Sequence, residues 1–470
     1  MSDTEIGKCH DINIKQINVS KIKAYPSLDD YPDPYKNNDN DFLNIVDKNR
    51  NANENDMNDN IILYSVYKNA VSLLISNDSR LIKKSKKFTQ SLNIDTVEEA
   101  LEYFKTLFPE SKKISVPIGI QDKKMFNVDI NDPLFDTLKQ DYGDEFKSWF
   151  KKKSEEGRDC YVSYKQDEMS LGSFMAYKDE TEIIYCKPED LPLKRRFKIS
   201  TLKVCNTGLR IGEALINIAI RNALINGINE IYLTHFTEPE SDGLVALIKR
   251  HGFYCYGYDD KKYPGRKEDI YIKKLRPDEG HICLTPYEDD VKYYPSFYDG
   301  DKVNKYIIPI LPEFHDRLFL DSERQTTLLE HMGEHSVEGY AILKAYLTNS
   351  KIKKIRPGDI VIFYKSGGVS CITKICVVDD VFRNLTDTDK INNIIRKRTV
   401  YSLDEVENIK KPITAILFRY NININKKVDL KLLTEHNILN GAPQSITQIN
   451  EDRYRRLMSV GVIDESLTFH

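Results

Sequence analysis

The chain has 470 residues, too many for one ordinary hydrophobic core, so about three domains are expected. A net charge of −3 and a pI near 6.4 exclude a globally basic binder of polyanions; local clusters of Lys and Arg leave nucleic-acid binding neither indicated nor excluded. Eight scattered cysteines show no C-x-x-C pair or zinc spacing, and no apolar run has signal-peptide or membrane-spanning length. The expectation is a cytoplasmic protein with reduced thiols, no metal and no membrane association; oligomeric state is left open.

Residues 1–58 include DDYPDPYKNNDNDFLNIVDKNRNANENDMND, rich in Asn, Asp and Pro, and are expected to be mostly loop. Order begins at NIILYSVYKNAVSLLISNDSRLIKKSKKF, where a helical face is followed by VSLLIS, read as a short buried strand. Thr96 and Glu99 then form a capping box ahead of TVEEALEYFKTLF. Helix, strand, Asn-Asp and basic helix resemble the C-terminal half of a PIN domain, a family of metal-dependent ribonucleases. The resemblance implies that Asp59 and Asp78 fill two of its acidic positions. The strand and further carboxylates that open that fold are missing, so 59–114 is expected to be a partial PIN-like segment, with ribonuclease activity the weakest alternative.

Residues 115–276 alternate strand and helix periods. KMFNVDI reads as a strand, and LFDTLKQDYGDEFKSWFKKKSEEG as helix carrying Trp149. CYVSYKQ, SLGSFMAYKD and EIIYCKP read as a three-strand meander. FKISTLKV then breaks at Cys205-Asn206-Thr207-Gly208 and passes into LRIGEALINIAIRNALI. The strand EIYLTHF and the helical pattern SDGLVALIKRHGF follow, with KEDIYIKKL as closing strand. A strand, a glycine-containing turn and a helix start offer free N–H groups and a favourable dipole to an anion. The order resembles the acetyl-CoA-binding core of the GNAT acetyltransferases, whose pyrophosphate loop reads roughly Arg/Gln-x-x-Gly-x-Gly/Ala. This chain has Thr207, Gly208, Leu209, Arg210, Ile211 and Gly212 there, so Thr207 and Arg210 depart from the family pattern. The resemblance implies that Leu202 to Val204 hold pantetheine and that Thr207 to Glu213 hold pyrophosphate, with Arg210 contacting phosphate directly. The family's usual tyrosine acid falls at Ile248, which leaves His235, Tyr254 and Tyr256 as candidates.

From 286 to 470 the chain offers short strands. Arg356-Pro357-Gly358-Asp359 turns into IVIFYKS, and Gly367-Gly368 turns back into SCITKICVVDDVF. The pattern resembles PUA-like domains of the ASCH and EVE kind. It implies a small β-barrel whose cleft binds RNA, with Lys344, Tyr346, Tyr364, Lys365 and Ser366 as contacts. The expected whole is an α/β (α+β) protein: a partial PIN-like α/β segment, a central GNAT fold with a mixed sheet, and a PUA-like small β-barrel. Its expected activity is acetyl-CoA-dependent N-acetyl transfer to RNA or an RNA-associated protein. The alternative is a non-catalytic nucleic-acid-binding regulator that senses CoA.

Overall fold

The structure, a computed structural model, describes every residue except 1–18, 21, 26–27, 29–30, 48–51, 89–91, 108–118, 166–168, 206–209, 237–242, 263–264, 284, 320–340, 351, 369, 396–397, 399–400, 402 and 464. The chain gathers into two units. One comprises Met1–Lys113, Phe126–Asp129 and Lys147–Gly157; the other comprises Ile114–Met125, Ile130–Phe146 and Arg158–His470. The helical stretch around Trp149 thus clusters with the N-terminal unit, and the central and C-terminal thirds share the second unit. Among the described residues, no helix is long and apolar enough to cross a membrane.

In the first unit, α1 (Asn40–Val46) and the opening turn of α2 (Glu54–Tyr67) lie where mostly loop was expected, while the rest of α2 is the expected helical face. The polar residues read as breakers are N-caps: Asp39 accepts the Phe42 N–H at 3.1 Å and Asn53 that of Asp56 at 2.9 Å. Phe42 and Tyr64 then bury edge to face, 4.7 Å between centroids. β1 (Leu74–Ile75) is short and half exposed, not the buried strand VSLLIS suggested, and pairs in parallel with β2 (Ile94–Asp95). α3 (Ser79–Ser85) lies between them. α4 (Val97–Leu107) opens on the expected capping box, with Thr96 N donating to Glu99 at 2.9 Å and Glu99 N to Thr96 Oγ1 at 3.2 Å.

The second unit carries a seven-stranded mixed sheet. In space it runs β3 (Ile120–Lys124), β4 (Asp159–Tyr164), β5 (Leu171–Ile184), β6 (Leu191–Val204), β7 (Glu230–His235), β9 (Glu268–Lys274), β8 (Tyr254–Asp259). Of the run KMFNVDI, Lys124 ends β3 and Met125–Asn127 form a 3-10 turn rather than a strand. The expected meander is one long hairpin, because SLGSFMAYKD and the start of EIIYCKP are a single strand. The connections from β3 to β4 use α5 (Asp136–Tyr142) and α6 (Asp144–Glu155). Only β6 and β7 run parallel, and α7 (Ile211–Ile225) supplies the crossover such a pair needs. Its sequence is apolar on nearly every face, and a helix of that kind must be covered all round. Phe197, Ile231 and Leu233 cover it from the sheet, and Tyr294 and Ile342 belong to the same core cluster. α8 (Gly243–Arg250) adds Val245 and Ile248 to that cluster. α9 (Pro286–Tyr293) is capped at its carbonyl end by the buried Lys273, whose Nζ donates to Lys292 O at 3.1 Å.

A second, six-stranded sheet follows in the same unit. Its order is β12 (Leu343–Thr348), β15 (Ile413–Asp429), β14 (Cys371–Leu385), β13 (Ile360–Lys365), β11 (Lys305–Ile310), β16 (Thr447–Ile449). β11 and β13 are parallel and the other neighbours antiparallel. Among the described residues β12 and β16 do not pair, so the expected small barrel is an open sheet. β10 (Phe297–Tyr298) pairs separately with β17 (Thr468–Phe469), while α10 (Pro312–Leu318), α11 (Thr388–Ile395), α12 (Leu403–Asn408), α13 (Leu430–Glu435) and α14 (Glu451–Gly461) complete the region. β13 is apolar without alternation because both faces are covered: Ile360, Ile362 and Tyr364 pack on one side, Val361 and Phe363 on the other.

Gly252 joins the two parts of this unit. Its φ is +83°, and a Cβ there would lie 2.2 Å from Val291 O and 2.9 Å from Lys273 Nζ. Gly227 has φ +67° with nothing within 4 Å. Gly252→Ala should therefore cost at least about 3 kcal/mol in urea unfolding, and Gly227→Ala only about 1 kcal/mol. Equal losses would contradict the close packing at Gly252.

Candidate functional site

The site is built from the divergence of β6 and β7. They pair over three residues only, Phe197 with Ile231, Lys198 with Tyr232 and Ile199 with Leu233. Just before this pairing the strands are pinned by a buried ion pair between Arg196 and Glu230, which Lys194 joins at 2.8 Å. Burial pushes the Glu230 carboxyl up, but Lys194 and Arg196 outweigh it and hold it below its ordinary value. Beyond Ile199 the strands part. β5 pairs Tyr177 with Ile199 and Ala176 with Thr201, which leaves Ser200 as an extra, bulged residue. Residues 201–204 stay paired to β5 on one side and, among the described residues, have no strand partner on the other. A strand pinned at one end and bulged at the other forms a notch with an open backbone edge.

Leu202 and Val204 lie on that edge, partly buried against the core around α7. Thr207, Gly208 and Leu209 lie outside the described residues. Arg210 is at the left-handed φ of 52° and starts α7, followed by Ile211, Gly212 and Glu213. The first N–H groups of the helix have no intrahelical acceptor, so its start offers donors. Gly212 does not serve as an open approach for a ligand: its Cβ position lies 2.8 Å from Leu247 Cδ2, so this glycine lets α8 pack close. Glu213 is 6 % exposed; its Oε2 pairs with Arg210 Nη1 at 3.0 Å, and its Oε1 accepts the backbone N–H of Leu343 at 2.8 Å.

His235 ends β7 opposite Asp269, half-buried at the notch. Tyr254 and Tyr256 pack with Leu191, Tyr232, Ile270 and Ile272, on the face of the sheet away from α7. Burial raises the Tyr254 phenol, and Ile248, where the family tyrosine would stand, is fully buried. Sequence reasoning missed Thr234 and Glu268. Thr234 Oγ1 donates to Glu268 Oε1 at 2.8 Å, and Lys262 Nζ lies 3.1 Å from the other oxygen of this buried carboxylate. Glu268 is one of three successive charges, Lys267-Glu268-Asp269, and only strand pairing separates its role from theirs. The basic run Lys194-Arg195-Arg196 is ion-paired with Glu230 and Asp179 rather than free for a polyanion.

The five expected RNA contacts do not share one cleft. Tyr364 is fully buried among Ile307, Ile362 and Ile375. Tyr346 lies on the opposite face and donates to Pro309 O at 3.1 Å. Lys365 pairs with Asp316 at 2.6 Å, and Ser366 Oγ donates to Ile310 O at 3.0 Å. Lys344 lies on the Tyr346 face, buried beside a second lysine. Its Nζ is 5.9 Å from the Phe319 ring centre, and Lys374 Nζ lies 5.8 Å from Phe319 and 5.6 Å from Tyr420. In the first unit, Asp59 lies 3.8 Å from Lys84, which also contacts Asp56 at 3.0 Å, while Asp78 caps α3 by accepting the Arg80 N–H at 2.7 Å. Among the described residues no three His, Cys, Asp or Glu are grouped to hold a metal.

Residues 319–460 match the model of the family described as EVE domain. No curated protein matches the chain. Similar solved structures include the ASCH protein from Zymomonas mobilis, at 13% identity and TM-score 0.26, over 35% of this chain and 98% of that one. An aminoglycoside 6'-acetyltransferase type Ii has 17% identity and TM-score 0.24, over 34% and 99%. Arabidopsis thaliana Naa50, in complex with a bisubstrate analogue CoA-Ac-MVNAL, has 22% identity and TM-score 0.20, over 24% and 72%.

Burial pushes the Lys344 ammonium down to about 7; Cys376 and Glu213 oppose the shift, while Lys374 and Arg210 reinforce it. Unfolded, the same lysine keeps its ordinary value of 10.5. Between these values only the unfolded chain binds the proton, so this site's contribution to stability grows as pH rises through that window and is flat below it. Lys344→Met should flatten the rise in melting temperature between about pH 7 and pH 10. Parallel profiles for variant and wild type would contradict the burial of this ammonium.

Proposed function

We propose that the chain is an acetyl-CoA-dependent N-acetyltransferase whose acceptor is RNA or an RNA-associated protein. The carrying observation is the notch: a three-residue parallel pairing, a bulge at Ser200, and the start of α7 at the chain's next described residues. The residues fit the cofactor. The open edge of 201–204 can pair with the amides of pantetheine as an added strand would. Arg210 and the free N–H groups of α7 suit a diphosphate. Thr207 to Glu213 are thus proposed as the diphosphate segment, with Leu202 and Val204 beside the pantetheine. Bound acetyl-CoA supplies an activated acyl carbon at the notch.

This chain's own groups do the proton work. Glu268, hydrogen-bonded to Thr234 on the strand that borders the notch, takes the proton of an incoming amine. His235, one residue further on the same strand, returns a proton to the departing thiolate. Tyr254 and Tyr256 lie on β8, separated from β6 by β7 and β9, and are weaker choices. Acceptor delivery falls to the EVE-matching region, residues 319–460.

The test uses the whole chain, labelled acetyl-CoA, total RNA and lysate protein. Label should enter RNA or RNA-associated protein, and Glu268→Gln should lower transfer by about 100-fold while calorimetric CoA affinity is unchanged. Label on unrelated protein alone would defeat the RNA acceptor and keep the transferase. CoA binding with no transfer to any acceptor would favour a CoA-sensing regulator.

A further inference from the structure

The hairpin connection between β8 and β9 carries Lys261, Lys262, Arg266 and Lys267, all of them exposed. Lys262 is paired with Glu268, and the neighbouring Asp260 with Lys187. Among the described residues, Lys261, Arg266 and Lys267 form no ion pair with a carboxylate; the Lys267 Nζ lies 4.6 Å from the centre of the Tyr258 ring. Arg266 is held differently from the lysines. Its guanidinium carbon is 3.7 Å from the centre of the Phe236 ring, a stacking distance, and its Nη1 donates to Asp141 O at 2.8 Å. Phe236 is itself fixed, 7 % exposed and 5.0 Å from the Tyr142 ring between centres. One face of the guanidinium is thus covered and one edge tied down, so the exposure of Arg266 belongs to its other face and its other donors. This flat plate stands at the notch, because Phe236 follows His235 at the end of β7 and Lys267 precedes Glu268.

We propose that Arg266 is a stacking plate for an unpaired base of single-stranded RNA, with Lys261 and Lys267 neutralising the adjoining phosphates, so that the strand lies against the mouth of the notch. The role rests on the reading of the notch as the transfer site, and it narrows the acceptor to RNA itself. A guanidinium covered on one side offers a π-face that any base fits, while its unused donors reach phosphate. A lysine in the same place would supply the charge without the plane. A duplex keeps its base faces in its own stack, and an acidic peptide would use the charges alone.

The probe is a fluorescein-labelled, unstructured RNA of about ten nucleotides, titrated into the full chain by anisotropy over a range of salt concentrations. Arg266→Lys should weaken binding about tenfold and leave the salt dependence unchanged, since the charge stays and the plane goes. Lys261→Gln with Lys267→Gln should instead flatten the slope of log affinity against log salt by about 1.4, the loss of two single-strand phosphate contacts. A duplex of the same sequence should bind more weakly than the single strand. Wild-type affinity in Arg266→Lys, a duplex bound as tightly as the single strand, or no RNA binding by the wild type would each overturn the proposal. Displacement of the RNA by an equal concentration of oligoglutamate would overturn it in favour of a protein partner. Should Arg266→Lys fail to fold, the paired lysine variant and the duplex comparison decide. CoA calorimetry on the wild type keeps the two readings apart: absence of CoA binding removes the transferase, while the RNA titrations judge the plate by themselves.

Discussion

Helix α7 has almost no face left for solvent. Ile211, Ala214, Leu215, Ile218, Ala219 and Ile220 are all buried, and fully burying an apolar side chain of Ile or Leu size contributes about 1.5–3 kcal/mol. One side is taken by the sheet, the other by Tyr294 and Ile342 from further along the chain. Everything else at the site follows from this enclosure. The helix start is held at the mouth of the notch, and the strand that covers its far side is the first strand of the second sheet. Removing the C-terminal third would expose an apolar helix face, so the central fold and the EVE-matching region form one structural unit.

Buried charges mark the joints of this unit. Arg196 and Glu230 pin the closed end of the notch, Lys273 caps α9 beneath Gly252, and Glu213 ties α7 to β12. Asp359 does the same inside the second sheet, where its carboxylate accepts the N–H groups of Asn304 at 2.8 Å and Arg356 at 3.0 Å and fixes the turn into β13. Removing one partner of such a pair leaves an uncompensated charge in a low dielectric, so these contacts fix geometry more than they add stability. The notch is held open by the same logic: strong pairing below, a bulge above.

Local rules were legible in the sequence. The capping box at Thr96 and Glu99, the buried apolar pattern of α7, the order of strands and helices after Cys205 and the turn at Gly358 need only neighbours within a few residues, and the mixed α/β class follows from them. The same rules failed where one residue type has two uses. Asp39 and Asn53 look like disorder in composition and act as caps because Phe42 and Leu63 give their helices a core. Gly212 looks like an open approach to phosphate and serves packing, because Leu247 occupies that space.

What the sequence determined by itself is therefore local periodicity: the apolar pattern of α7, the strands β6 and β7 that flank it, and that a helix begins where an anion could sit. Only the tertiary structure decided which charges meet. Glu213 and Leu343 are 130 residues apart, and Thr234 and Glu268 are 34 apart, separations over which no local pattern operates. Tyr346 and Tyr364 likewise look equivalent as aromatic residues of strands consecutive in the chain, yet the pleat and register send them to opposite faces of one sheet.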